Sequence, residues 1–217
     1  MTTPTPGSAS EPADLIEPHT LRRTVLTVAG LNFGYFWVEV VVALAIGSVA
    51  LLADSVDFLE DTAVNLLIFL ALGWPIARRA LAGKAMALLI LVPALAAGWA
   101  AVSKAGDPAP PDVLALVVTA GGAVVVNGVC ALLLSRIRHH GGSMTAAAFL
   151  VARNDVLVNL AIIAMAAVTW WTGSGWPDIV LGAIIVVVNV GAAKEVWEVA
   201  TEEGLAAKAL AGEQLEA

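Results

Sequence analysis

The sequence predicts an all-α membrane protein of six transmembrane helices, and three observations predict it. Of 217 residues, 59% are hydrophobic and only 13% charged, and the mean hydropathy is +0.88. A soluble domain carries more charge than that. Six long apolar runs alternate with short segments rich in Gly, Pro or basic residues, so each run has the length of a bilayer-crossing helix. The basic residues between runs then fall almost wholly on one side. The formal net charge of −7 says little about partners, because several acids lie inside the apolar runs. Cys130 is the single cysteine. It excludes an internal disulfide and a thiolate cluster and reads as a small packing residue. The sequence has no Gly-rich phosphate loop and no nucleic-acid patch, and it points neither to an enzyme nor to a bound cofactor.

Residues 1–20 are rich in Pro, Ser, Thr and acids and are expected to form a disordered cytoplasmic leader with a solvated His19. They lack the basic start and cleavage site of a signal peptide. Residues 21–200 form the expected six-helix transmembrane domain. Helix 1 spans about 24–46 and carries Asn32 and Glu39 on one face. Gly30 and Gly34 give it a small-xxx-small pair for close packing. Helix 2 follows a tight Gly47-Ser48 turn and ends before Pro75. The next segment, WPIARRALAGKA, reads as a loop with Arg78, Arg79 and Lys84. Helix 3, about 85–103, is uncharged and should bend at Pro93. A stiff loop, KAGDPAPPD, leads to helix 4, about 113–135, which carries Asn127. The loop RIRHHGGS is short and basic; His139 and His140 read as solvated, with incoming metal as the other possibility. Helix 5, about 144–170, contains Arg153, Asn154, Asp155 and Asn159. Helix 6, about 178–199, carries Asn189 and leads to a short, mixed-charge cytoplasmic tail, 201–217.

The stretch GSVALLADSVDFLEDTAVN, residues 47–65, organises the rest. It is nearly as apolar as lipid, yet it holds Asp54, Asp57, Glu60 and Asp61. Four acids in a spanning helix are costly, so each needs a role or a partner. At about 100° per residue, Asp54, Asp57, Asp61 and Asn65 fall within roughly 80° of one another, whereas Glu60 points about 100° away from Asp61. Two acids at i and i+4 can share one divalent cation. A polar packing seam between helices is the plainer reading. Depth favours the ion: with about 1.5 Å rise per residue, Asp57 and Asp61 lie roughly 12 and 18 Å from the outer boundary, and Asp155 lands at roughly 15 Å. Asn32, Asn127, Asn154 and Asn189 come within about 6 Å of that level. Several helices thus carry carboxylates and amides to one midplane layer, the pattern of an ion site inside a helical bundle.

The same stretch resembles helix 2 of the cation diffusion facilitator (cation efflux) family, which has a Gly-Ser turn, an apolar run with an Asp, and then a His-or-Asp-xxx-Asp pair. Asp57 and Asp61 occupy that pair. VARNDVLVN resembles the family's helix 5, with Asp155 and Asn159 matching its latter part. LNFGYFWVEVVVALAIGS and WPDIVLGAIIVVVNVGAAKEVWEVA are similar to its helices 1 and 6, so the likeness covers about residues 22–200. It implies a bundle in which helices 1, 2, 4 and 5 enclose the ion and helices 3 and 6 pack outside. It also implies export of a divalent metal from the cytoplasm, usually in exchange for protons. Asp57, Asp61 and Asp155 are then the implied ligands, with Asn154 or water at the fourth position. Asp54 reads as a structural polar contact, and Arg153 is placed either to pair with Glu60 or to reach the inner interface. The sequence departs from the family pattern at Val151, where helix 5 usually has His or Asp. It also has no room for the family's C-terminal cytoplasmic domain, so a short form is expected. An all-oxygen ligand set favours manganese, iron or cobalt, though zinc also accepts carboxylates. The resemblance implies a homodimer in the lipid bilayer of the cell (plasma) membrane. The rival reading is a degenerate, non-transporting family member acting as a partner subunit or metal sensor. An intramembrane aspartyl protease is disfavoured, because neither Asp61 nor Asp155 has a GxGD-type motif around it.

Nine Lys and Arg residues, from Arg22 to Lys208, fall on one side and only Lys104 on the other. Both termini are therefore expected in the cytoplasm. In a Cys130→Ala background, Ala109→Cys should react with an impermeant thiol reagent added outside and Ala207→Cys should not. External labelling of Ala207→Cys would reverse the topology.

Overall fold

The computed structural model describes residues 18–71, 73–137 and 142–216. The leader up to residue 17, together with His139 and His140, lies outside the described residues. Six helices form the described chain: α1 (Pro18–Ile46), α2 (Val49–Ala71), α3 (Ile76–Lys104), α4 (Val113–Ser135), α5 (Gly142–Thr172) and α6 (Trp176–Glu216). Five of them are long and apolar enough to cross a membrane. The sixth, α2, has the length but carries the four acids, and it lies at the centre. Helices α1, α2, α5 and α4 pack in a closed ring, each against the next. The α3–α6 pair packs on α2 from outside the ring, and α6 also touches α5. This is the arrangement expected from the family likeness.

The polarity of the bundle is turned inside out. Leu114, Trp99, Trp170 and Val187 are among its most exposed side chains, whereas Asn32, Glu39, Asp54 and Asn159 are fully buried. Lipid accepts the first group, and the second must be met by other helices. Between the helices the packing residues are small. Ala43, Ala50, Ala53, Ala120 and Ala166 belong to one buried cluster, which lets backbones approach closely where burial of apolar area offers little drive.

Two element boundaries differ from the sequence reading. The segment expected as a loop, 76–84, is the first part of α3, and residues expected as a tail continue α6 to Glu216. The reason is a shared small-residue seam. Along α3 the buried positions run from Ala80 and Gly83 to Ala97 and Ala101 at spacings of three and four. A Cβ on Gly83 would fall 2.8 Å from that of Ala200 on α6, and Arg79 pairs with Glu203 at 3.3 Å. The two helices therefore support each other past the apolar runs. Pro93 is accommodated inside α3 without ending it.

The turn between α1 and α2 is held by a buried knot. Gly47 adopts a left-handed φ of 66°, which costs a glycine nothing. Ser48 Oγ accepts from Leu51 N at 3.1 Å and donates to Asp178 Oδ1, on α6, at 2.6 Å. Asp178 also accepts from the backbone of Val49 at 2.9 Å and of Ala50 at 3.2 Å. A carboxylate from one helix thus caps the N-terminus of another. Lys104 donates to Asp178 Oδ2 at 2.9 Å and to Gly47 O at 2.5 Å. Gly182 permits the approach: a Cβ there would lie 2.7 Å from Ala50 N.

Asp178 is fully buried and the side chain of Lys104 is partly buried. Asp178→Ala should therefore lower the unfolding free energy by about 3 kcal/mol, because Ser48, two backbone amides and Lys104 lose their acceptor. Lys104→Met should cost less, since Ser48 and two backbone amides still satisfy the carboxylate. SDS titration of the protein in bicelles measures both; equal stability of Asp178→Ala and wild type would remove the knot from the fold's support.

Candidate functional site

Helix α2 puts Asp54, Asp57, Asp61 and Asn65 at intervals of three and four, hence along one stripe. The neighbouring helices answer that stripe with amides. Asn32 on α1 donates to Asp61 Oδ2 at 3.1 Å, and its own Oδ1 meets Cys130 Sγ of α4 at 3.5 Å. Asn159 on α5 donates to Asp54 Oδ1 at 3.4 Å and to the carbonyl of Asp155 at 3.0 Å. Asn189 on α6 donates to the carbonyl of Ala53 at 2.9 Å. Cys130 is therefore a buried packing residue with one weak polar contact.

Where α2, α5 and α6 meet, a crevice of about 350 Å³ is lined by Asp57, Glu60, Val151, Asn154, Asp155 and Asn189. A second cavity of about 280 Å³ adjoins it and shares Glu60, Val151 and Ala192 with it. That second cavity extends along α3 and α6 to the Arg79–Glu203 ion pair, away from the Asp178 knot. Asp57 and Glu60 thus connect to one end of the bundle along a wall that carries Glu195 and Glu203.

The structure brings together some of the residues singled out from the sequence. Asp57, Asn154 and Asp155 share the crevice, and Val151 borders it one turn from Asp155. Asp61 is buried beside Asn32 and does not line the crevice. Among the described residues no three His, Cys, Asp or Glu side chains converge as a ready cluster for a metal ion. Asp57 nevertheless shares the crevice with Glu60 and Asp155 and the α2 stripe with Asp54 and Asp61. Asp54 is fully buried inside the bundle. Arg153 is exposed and forms no ion pair with Glu60, which faces Glu195 across the second cavity instead. The reason is angular. Arg153 and Asp155 are two residues apart on α5, so the helix that turns Asp155 inward turns Arg153 out.

Two features carried too little weight in the sequence. Glu39 is an acid seven residues from the end of α1 and is fully buried. The rule that singled out α2's acids applies to it equally. Asp178 stood at the start of a helix, where an acid is ordinary, and only the packing of α6 against α2 reveals what it caps.

A six-helix bundle with apolar outer faces and a carboxylate-lined crevice at mid-helix defines a multi-pass membrane protein with an intramembrane polar site. The family model described as the cation efflux transmembrane domain matches residues 25–202, and the chain belongs to the cation efflux family. It is similar to the zinc transporter ZitB of Escherichia coli (strain K12), 30% identical over 184 residues that cover 75% of this chain and 56% of that protein. The zinc transporter ZitB of Shigella flexneri matches to the same extent. The chain therefore spans little more than half the length of these curated relatives.

The crevice should be wet and the Asp54 level closed. In a Cys130→Ala background, Ala192→Cys should react with a hydrophilic maleimide, and Ala53→Cys, fully buried, should be protected in the folded protein. Protection of Ala192→Cys equal to that of Ala53→Cys would close the crevice.

Proposed function

We propose that this protein carries a divalent metal cation out of the cytoplasm across the cell membrane, in exchange for protons. Asp57, Asp61 and Asp155 are the ligands, with Asn154 or water at the fourth position. The observation that carries this reading is the shared crevice: Asp57, Asn154 and Asp155, from two helices, line one cavity at mid-helix with Asp61 a turn away on the same stripe. Carboxylates that face one another in a low-dielectric interior repel, and a divalent cation among them converts repulsion into attraction. The metal, as substrate, and protons compete for the same oxygen atoms, which is the requirement for exchange. An all-oxygen set suits manganese, iron or cobalt. The relatives' name adds zinc, which also accepts carboxylates. A homodimer embedded in the bilayer is the accompanying proposal, from the family likeness.

A second reading, a non-transporting member that senses metal or serves a partner subunit, is favoured by one residue. Val151 presents an apolar side chain to the crevice one turn from Asp155, where the family pattern has a ligand.

Flux decides between them. Proteoliposomes containing a metal-sensitive dye should take up manganese, iron, cobalt or zinc, with a coupled proton movement. Asp57→Ala, Asp61→Ala and Asp155→Ala should each reduce uptake to that of protein-free vesicles while still inserting, since removing a buried carboxylate eases insertion. Glu60→Ala should retain part of the flux. Full flux in Asp155→Ala would remove α5 from the site, and no flux in wild type with any of the four metals would favour the second reading.

A further inference from the structure

The crevice leaves Glu39 unused. This side chain is fully buried on α1, and neither Oε1 nor Oε2 meets a hydrogen-bond donor among the described residues. Oδ2 of Asp54 on α2 and Oδ1 of Asn159 on α5 are buried and without a donor as well. Glu39 lies seven residues before the end of α1 and Asp54 five residues after the start of α2, so the two fully buried acids stand at the same level of the α1–α2 hairpin and act on one another there. Asn159 Nδ2 covers Asp54 Oδ1 at 3.4 Å, so Oδ2 is left for Glu39. Tyr35 is the nearby hydroxyl, but it donates to the carbonyl of Thr119 on α4 at 2.6 Å. None of the ion pairs formed by the described Lys and Arg residues reaches either acid. The titratable groups that face the pair are Tyr35 on α1, Asp57 on α2 and Asp155 on α5, and none of them is cationic.

Two ionised carboxylates are acceptors only and cannot bond to each other, whereas a carboxylic acid facing a carboxylate forms a short, charge-assisted bond. An unpaired carboxylate inside a membrane protein is far more costly than a shared proton. We propose that Glu39 and Asp54 together bind one proton, at a site separate from the metal crevice and one turn along α2 toward the Gly47-Ser48 turn. The O–H of one carboxyl donates to an oxygen of the other, and Asn159 fixes Asp54 for it. The role in transport rests on the function proposed above. Asp57 is three residues from Asp54, about 4.5 Å along the axis. A divalent cation arriving at Asp57 repels the shared proton and favours its release to bulk water. Metal binding and proton release are then linked although they share no ligand.

Infrared spectroscopy of the metal-free protein in lipid tests the site itself. One C=O band of a protonated carboxyl should be present in wild type and in Asp57→Asn and missing from both Glu39→Gln and Asp54→Asn, where an amide N–H takes the place of the shared proton. Carbon-13 labelling of glutamate carboxyls in wild type checks the assignment without a variant, since the band shifts if Glu39 carries the proton for part of the time. The linkage is tested by calorimetry with manganese or zinc in two buffers of different ionisation enthalpy. Glu39→Gln should bind the metal and release one proton fewer than wild type. A set of protonated-carboxyl bands identical to that of wild type in both Glu39→Gln and Asp54→Asn overturns the site, and an unchanged proton count overturns the linkage. A wild type that binds no metal refutes the transport reading but leaves the spectroscopic test of the pair standing.

Discussion

A helix with four acids cannot face lipid, and the rest of this bundle follows from that constraint. Helix α2 is therefore the one that the others surround, with α1, α5 and the α3–α6 pair against it. Each carboxylate on its stripe is met by a different neighbour: Asp61 by Asn32 of α1, Asp54 by Asn159 of α5, and Asp57 by the crevice between α5 and α6. Amides suit this task because they satisfy acceptors without adding charge. They bring no positive charge into the interior.

The two ends of the bundle differ. At the Gly47 end, α1, α2, α3 and α6 are tied through Asp178 and Lys104, and Gly182 brings α6 against the first turn of α2. At the other end the helices leave adjoining cavities that run from Asp57 past Glu60 to Glu203. A cavity also lies at the Gly47 end, but its lining includes none of the acids of α2, whereas the adjoining cavities at the other end reach Asp57 and Glu60. The seam of small residues joins α3 to α6, and both helices of this pair pack against α2.

Much of this was legible from the residues. Six apolar runs, the stripe on α2 and the inward face of Asp155 all follow from helical periodicity, and depth placed the amides of α1 and α6 near the same layer. The extent of α3 and α6 was harder to read. Basic residues and a glycine near 76–84 resemble a loop, and the seam that makes them helical depends on Ala200 and Gly204, more than 100 residues away. Arg153 and Glu60 have opposite charges, but angular position, not charge, decides which side chains face each other, and Glu60 faces Glu195. Asp178 is invisible from its own neighbourhood because it acts on a different helix. Glu39 was visible as an intramembrane acid, and only its missing donors distinguish it from a packing residue.

The central claim is that aspartates from α2 and α5 hold one divalent cation with oxygen ligands. X-ray absorption of manganese bound to the purified protein in lipid nanodiscs, with the bound metal counted in the same sample, addresses it directly. The account predicts one ion per chain in a shell of oxygen atoms only, lost in Asp57→Asn and in Asp155→Asn and kept in Glu60→Gln. A full complement of bound manganese in both Asp57→Asn and Asp155→Asn, or a shell containing nitrogen or sulfur, would contradict it.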